Sequence, residues 1–116
     1  MSAFVFAELA VTDKAMYRDE YVPRATRAVA AFGGKFVGTG RRVAFHIGMA
    51  SPSSRAVLIE FPSFEMANAF YESSAYREAS SIRERCATTF KYVILDADAD
   101  ALPGGQGGDA SQKIAP

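Results

Sequence analysis

Apolar and polar positions recur along the chain with two different periods, and the switches between them mark out strands and helices. From Phe4 to Val11 the run FVFAELAV is short, apolar and rich in β-branched and aromatic residues, which predicts a strand. Thr12 and Asp13 then offer a helix N-cap, a side-chain oxygen that satisfies an orphan backbone N–H. From Lys14 to Phe32 the apolar residues return at helical spacing, with Tyr17, Tyr21, Ala25, Ala28, Val29 and Phe32 on one face. Pro23 falls inside that pattern and lacks an N–H, so a kink or a fresh first turn is expected there. Gly33 and Gly34 stop the helix, because glycine takes the left-handed cap conformation without steric cost.

KFVGTG, residues 35–40, reads as a second, shorter strand. Residues 41–54 are ambiguous: Val43 to Ile47 fit an added hairpin arm, and GMASPSS fits a loop. RAVLIEF, residues 55–61, is the third strand. The helix FEMANAFYES follows Pro62 and Ser63 and puts Phe64, Ala67, Phe70 and Tyr71 on one face. Ser73 and Ser74 break and re-cap it, and the second half presents Tyr76, Ala79, Ile82, Arg83 and Cys86. TTFKYVILDA, residues 88–97, is the fourth strand. The order β-α-β-β-α-β predicts an α+β, ferredoxin-like domain over residues 1–97, with both helices on one face of a four-stranded antiparallel sheet. Residues 98–116, rich in Gly, Ala and polar residues, read as a flexible C-terminal tail.

Alternation along the strands also says what lies on each side of that sheet. In the first strand Val5, Ala7, Leu9 and Val11 form a wholly apolar set, which belongs under the helices. Phe4, Phe6, Glu8 and Ala10 form the other. In the third strand Ala56, Leu58 and Glu60 oppose Arg55, Val57, Ile59 and Phe61. Glu8 and Glu60 are therefore expected to share the open face with Phe4, Phe6 and Leu58. A face that mixes aromatic rings with two carboxylates suits bulk water poorly, and something should cover it.

Composition narrows the function classes. Thirteen basic and thirteen acidic residues cancel, which leaves no electrostatic footprint for nucleic acid or an anionic membrane. One cysteine, Cys86, excludes an intramolecular disulfide framework and fits a reducing compartment. The N-terminal run has no basic leader and carries Glu8, so no signal peptide is expected; nor does any apolar stretch approach the ~20 residues of a membrane helix. A cytoplasmic protein is expected. GGKFVGTG lacks the Gly-Lys-Ser/Thr spacing of a phosphate loop, and the aromatic signature of RNA-recognition domains is missing.

Several blocks, VTDKAMYRDEYVPRA, FGGKFVGTGRR and above all the strand-to-helix segment RAVLIEFPSFEMANAFYESSAYREASSIR, resemble the uncharacterised family known as domain of unknown function 1330. The resemblance runs from the first strand to about residue 96. It implies a dimeric α+β barrel, in which two ferredoxin-like sheets meet face to face, so that a second subunit covers the open face and a cavity lies on that side of the sheet. It also exposes a departure. Where the family has a Glu-Gly pair before the third strand, this chain has Ile47-Gly48, preceded by His46.

Candidate chemistry follows from that picture. Glu60, desolvated beside Leu58 and aromatic rings, would act as general acid or base, or else pair with an arginine or backbone donors; an unpaired buried carboxylate is too costly to persist. Glu8 would make a second carboxylate beside it, or sit at an exposed edge. His46, the lone histidine, is a base or an axial haem ligand at the cavity mouth on one reading and a solvated loop residue on the plainer one. Arg55 is placed to clamp a carboxylate, more so than Arg41 or Arg42. Tyr17, Tyr21, Tyr71 and Tyr76 are amphipathic rings on the helices, most of them packing and some hydrogen-bonding into the cavity, with Tyr17 and Tyr21 the candidates for ligand contact; Phe6 and Leu58 offer its apolar walls. Cys86 reads as a buried, inert thiol. With one His and one Cys no protein-only zinc site is supported within a subunit, and no cofactor is expected. Two functional readings follow. One is a small cofactor-independent enzyme that performs proton transfer, isomerisation or oxygenation on a small, partly apolar metabolite, with Glu60 and His46 catalytic. The other is a non-catalytic homodimeric binding module in which Glu60 is an interface ion-pair partner.

Overall fold

The computed structural model describes residues 2–40, 44, 46–48 and 54–97. The proposed tail, 98–116, Arg41 and Arg42, and two residues of the proposed hairpin arm, Val43 and Phe45, fall outside them; Ala44, His46 and Ile47 of that arm are not in a strand. Strands β1 (Ala3–Val11), β2 (Lys35–Gly40), β3 (Ser54–Phe61) and β4 (Ala87–Asp96) form one antiparallel sheet in the order β2-β3-β1-β4, the ferredoxin-like arrangement. The first helical arm has three parts: a single turn α1 (Lys14–Met16), a π-turn over Tyr17–Tyr21, and α2 (Val22–Ala31). The second arm is α3 (Phe64–Glu72) followed by α4 (Ser74–Cys86).

Local sequence accounts for these boundaries. Asp13, Ser63 and Ser73 each accept a hydrogen bond from the backbone N–H three residues on, at 3.1 Å, and so start α1, α3 and α4. Ser73 also donates to the Phe70 carbonyl at 2.7 Å, closing α3 while it opens α4. α2 ends in a Schellman motif: Gly33 N–H bonds the Ala30 carbonyl, and Gly34 N–H the Val29 carbonyl. Gly33 takes φ +77° there, a conformation open to glycine at little cost. Pro23 sits in the first turn of α2, as expected. The structure adds the π-turn just before it, where Val22 N–H reaches back to the Tyr17 carbonyl. A wide turn is a known way to relieve the crowding that a proline imposes on the preceding helical carbonyls.

The inner face of the sheet is the one the alternation indicated. Val5, Ala7, Leu9 and Val11 are buried, with Ile59 and Phe61 beside them. Against them pack Ala25, Ala28 and Val29 of α2, Ala67 and Phe70 of α3, and Tyr76, Ala79, Ile82 and Cys86 of α4. Phe61 and Phe70 are fully buried with ring centroids 4.9 Å apart, and each contributes roughly 1.5–3 kcal/mol of apolar burial. On the open face the pairing sets side chains in rows. Lys35, Glu60, Phe4 and Leu95 form one, Gly38, Leu58, Phe6 and Val93 the next, and Ala56, Glu8 and Lys91 a third.

Two irregularities break the strict alternation. Val37 is the extra residue of a bulge in β2, and Phe90 of one in β4. The second changes which side chains meet. Thr89 pairs with Leu9 and Tyr92 with Ala7, so both stand on the helical face, although strict alternation would separate them.

Candidate functional site

Small residues open a cavity between the helices and the sheet. Ala7, with Val57 and Tyr92 as its strand neighbours, forms the floor, and Ala25 of α2 lies in the roof. Where two facing layers both present alanine, neither reaches far enough to fill the gap. The space measures about 180 Å³ and is walled mainly by Leu9, Val29, Ile59, Phe36 and Phe70. That is somewhat more than the ~150 Å³ apolar cavity that accepts a single benzene ring. Tyr17 and Tyr21, the two ends of the π-turn, line it with rings 5.2 Å apart.

This cavity has one polar end. The hydroxyls of Tyr21 and Tyr76 lie 2.7 Å apart, and Nη1 of Arg83 donates to the Tyr76 oxygen at 2.6 Å. A guanidinium can only donate, so the Tyr76 oxygen is the acceptor there and its own proton is available to Tyr21. Either hydroxyl can be the donor between Tyr76 and Tyr21; in the arrangement where Tyr76 donates, the Tyr21 hydroxyl is free to donate to a ligand oxygen in the cavity. The chain Arg83–Tyr76–Tyr21 thus carries the polarising effect of a buried cation to the cavity wall.

Arg83 is only 4% exposed, and among the described residues no carboxylate lies within 4.0 Å of it. Its charge is offset instead by the rings of Tyr76 and Tyr92, whose centroids lie 5.8 and 5.2 Å from the guanidinium carbon, and by its place in the last turn of α4, where the helix dipole is negative. Each of these contributes up to about 2 kcal/mol, against a burial penalty of several kcal/mol for an unpaired ion. Burial raises the pKa of Tyr21, Tyr76 and Tyr92 above that of a free phenol. All three hydroxyls therefore stay protonated at neutral pH and act as donors, not as bases.

The expected site residues divide between the two faces. Tyr17 and Tyr21 line the cavity. Arg55 is on the same side of the sheet, opposite Leu9, where its charge acts on the Tyr17 hydroxyl; burial nevertheless raises that phenol's pKa. Glu60, Glu8, Phe6 and Leu58 are on the open face. There Oε2 of Glu60 accepts from Oγ of Ser2 at 2.7 Å, while Oε1 is 3.9 Å from Nζ of Lys35. His46 is exposed. A single chain thus has a cavity beneath the helices that the sequence did not indicate, in addition to the open face where a second subunit was expected to close one. Its physical origin is the alanine pair, Ala7 and Ala25, in layers that otherwise present larger side chains. Cys86 is buried, and burial raises its thiol pKa, in keeping with an inert group. Among the described residues no group of three or more His, Cys, Asp or Glu side chains is placed to hold a metal ion.

Sequence reasoning put Arg83 and Tyr76 on the buried helical face, and counted Tyr76 among the amphipathic rings, but gave Arg83 no role. The signal was there: an arginine on that stripe, seven residues after a tyrosine, has to find a partner for its charge.

Comparison with known proteins supplies a family. The model of the domain of unknown function DUF1330 matches residues 2–97, and the chain belongs to that family. No functionally curated protein matches it. Among solved structures, a protein of unknown function from Rhodopseudomonas palustris is similar at a TM-score of 0.62 and 18% identity, covering 82% of each chain. SnoaB, a cofactor-independent oxygenase from Streptomyces nogalater, also gives a TM-score of 0.62 at 10% identity, over 83% of this chain and 92% of that one. At such identities the likeness is one of fold.

Proposed function

We propose that this DUF1330 protein is a cytoplasmic, homodimeric enzyme that binds a small, partly apolar, oxygen-bearing metabolite in the cavity beneath the helices and works without a cofactor. The observation behind this reading is the cavity itself: apolar walls sized for one ring, closed at one end by phenol donors in line with a buried cation. Donors aimed into a water-poor site favour an oxyanion, such as a phenolate or enolate, far more than they would in water. The reaction class is then one that passes through such an anion, an isomerisation or an oxygenation. The fold likeness to SnoaB, a cofactor-independent oxygenase, is compatible with the second. Within the cavity Tyr21 contacts the ligand oxygen, Tyr76 and Arg83 polarise it, and Tyr17 packs against the ring.

The dimer belongs to the same proposal. Phe6, Val93 and Leu95 stand 37%, 48% and 62% exposed in adjacent rows of the open face. An apolar patch of this kind on a sheet marks an interaction surface, and a second copy of the chain is its proposed occupant. Glu60 then serves as a tie between Ser2, β2 and β3 at the edge of that interface.

Titration of the protein with 4-methylphenol and with toluene tests the cavity reading. The two probes have nearly the same shape and differ in the hydroxyl. Wild type should bind 4-methylphenol about tenfold more tightly, the value of one hydrogen bond to a polarised donor, and Tyr76→Phe should erase most of that difference. Equal affinity of wild type for both probes would contradict the role given to the Tyr21 hydroxyl.

A further inference from the structure

Arg83 is not fully used by the tyrosines. Its Nε–H is buried and has no hydrogen-bond partner, and neither has Oγ1 of Thr89. Orphaned buried donors are rare in folded proteins, because each loses its hydrogen bonds to water and gains none. Here both belong to residues of one surface groove of about 390 Å³, on which Tyr71, Tyr92, Glu84 and Lys91 also border. Tyr92 is shared between the walls of this groove and of the cavity beneath the helices; Arg83 and Thr89 line only the groove.

We propose that the groove is a second ligand site, specific for the carboxylate of a small aromatic or short-chain monocarboxylic acid, bound between Arg83 Nε and Thr89 Oγ1. Three features select that chemistry. An N–H can only donate and a hydroxyl can donate, so the group that satisfies both at once is an acceptor-only one, which an ionised carboxylate is. The charges bordering the groove are Arg83, Lys91 and Glu84, two positive and one negative, which matches a single negative charge better than the two of a phosphate. The remaining walls are aromatic: the rings of Tyr71 and Tyr92, 4.9 Å apart, and Phe90 offer flat apolar surface to the body of an acid. Both polar atoms are shielded with the rings at rest. Tyr71 and Phe90, 38% and 60% exposed, are the side chains that have to move aside for entry.

The bulge at Phe90 makes this site, since it turns Thr89 to the same side as Tyr92. The site also has a consequence for the cavity: an anion on Arg83 would weaken the polarisation that the guanidinium passes through Tyr76. The inference does not depend on any reaction in the cavity.

The test is a titration of the full chain with benzoate, followed by tyrosine fluorescence, with benzyl alcohol and inorganic phosphate as comparison probes. Wild type should bind benzoate saturably, with a Kd of about 1 mM or tighter. Thr89→Val, which keeps the β-branched shape and removes the hydroxyl, should weaken benzoate about tenfold and leave benzyl alcohol unchanged. Arg83→Lys, which keeps the charge and removes Nε, should weaken it at least as much. Failure of wild type to saturate overturns the site. So does a Thr89→Val protein that binds benzoate as tightly as wild type. Phosphate binding tighter than benzoate overturns the ligand class.

Discussion

Tyr76 is the residue on which the site turns, because its oxygen lies within hydrogen-bond distance of both Arg83, at 2.6 Å, and Tyr21, at 2.7 Å. Tyr76→Phe removes one atom and leaves two buried partners unsatisfied, so it should destabilise the fold by about 1–3 kcal/mol, read as a lower melting temperature. The phenols also predict a pH dependence. Burial raises the pKa of Tyr21, Tyr76 and Tyr92 in the folded state. Above about pH 10 the unfolded chain loses these protons while the folded chain keeps them, so stability falls as pH rises, by about 1.4 kcal/mol per pH unit for each phenol held protonated. Below that range their contribution is fully present. Tyrosinate absorbance should therefore appear for these three only together with unfolding, whereas ionisation of all tyrosines in a still-folded chain would contradict their burial. Glu60 has a different fate. On the face away from the cavity, with a hydroxyl and a surface lysine as partners, Glu60→Gln should change stability by less than about 1 kcal/mol and leave ligand binding intact. Loss of binding in that variant would return the site to the open face. At this scale the sequence was half legible. Tyr17 and Tyr21 follow from helical periodicity, but Arg83 reads as one more residue on a buried stripe until the rings around it are known.

Among the elements, strands and caps could be read directly and irregularities could not. Asp13, Ser63 and Ser73 announce their helices by residue type, and the apolar set Val5, Ala7, Leu9 and Val11 announces its face. The bulges at Val37 and Phe90 depend on cross-strand register, which a single strand does not record. The π-turn was legible only in part: Pro23 signals a disturbance but not its form. Two neighbouring glycines show how far context decides. A Cβ on Gly34 would lie 2.6 Å from Cε1 of the buried Phe61 ring, so Gly34→Ala should destabilise by about 1–3 kcal/mol. On Gly38 a Cβ meets nothing within 4 Å, and Gly38→Ala should be neutral or slightly stabilising through the unfolded chain. Chemical denaturation of the two variants side by side checks both; equal effects would contradict the close approach of Gly34 to β3.

For the whole molecule, the ferredoxin-like architecture was fully legible, because element order and alternation admit few other topologies. The position of the cavity was not, since it arises from two alanines far apart in sequence that meet across layers. Assembly gives its own prediction. If the wild type is the proposed dimer, Val93→Lys, which puts a charge in the row shared with Phe6 and Leu58, should turn it into a monomer in native mass spectrometry at two concentrations. A dimer that survives this change would place the interface elsewhere. The central claim, that the ligand enters beneath the helices and meets Tyr21, is tested most directly by a crystal structure with 4-bromophenol, whose bromine can be located by its anomalous signal. The account predicts a bromine between Ala7 and Ala25, with the phenol oxygen about 2.7–3.1 Å from the Tyr21 hydroxyl. A bromine on the open face beside Glu60 and Leu58, with the alanine-lined cavity empty, would contradict it.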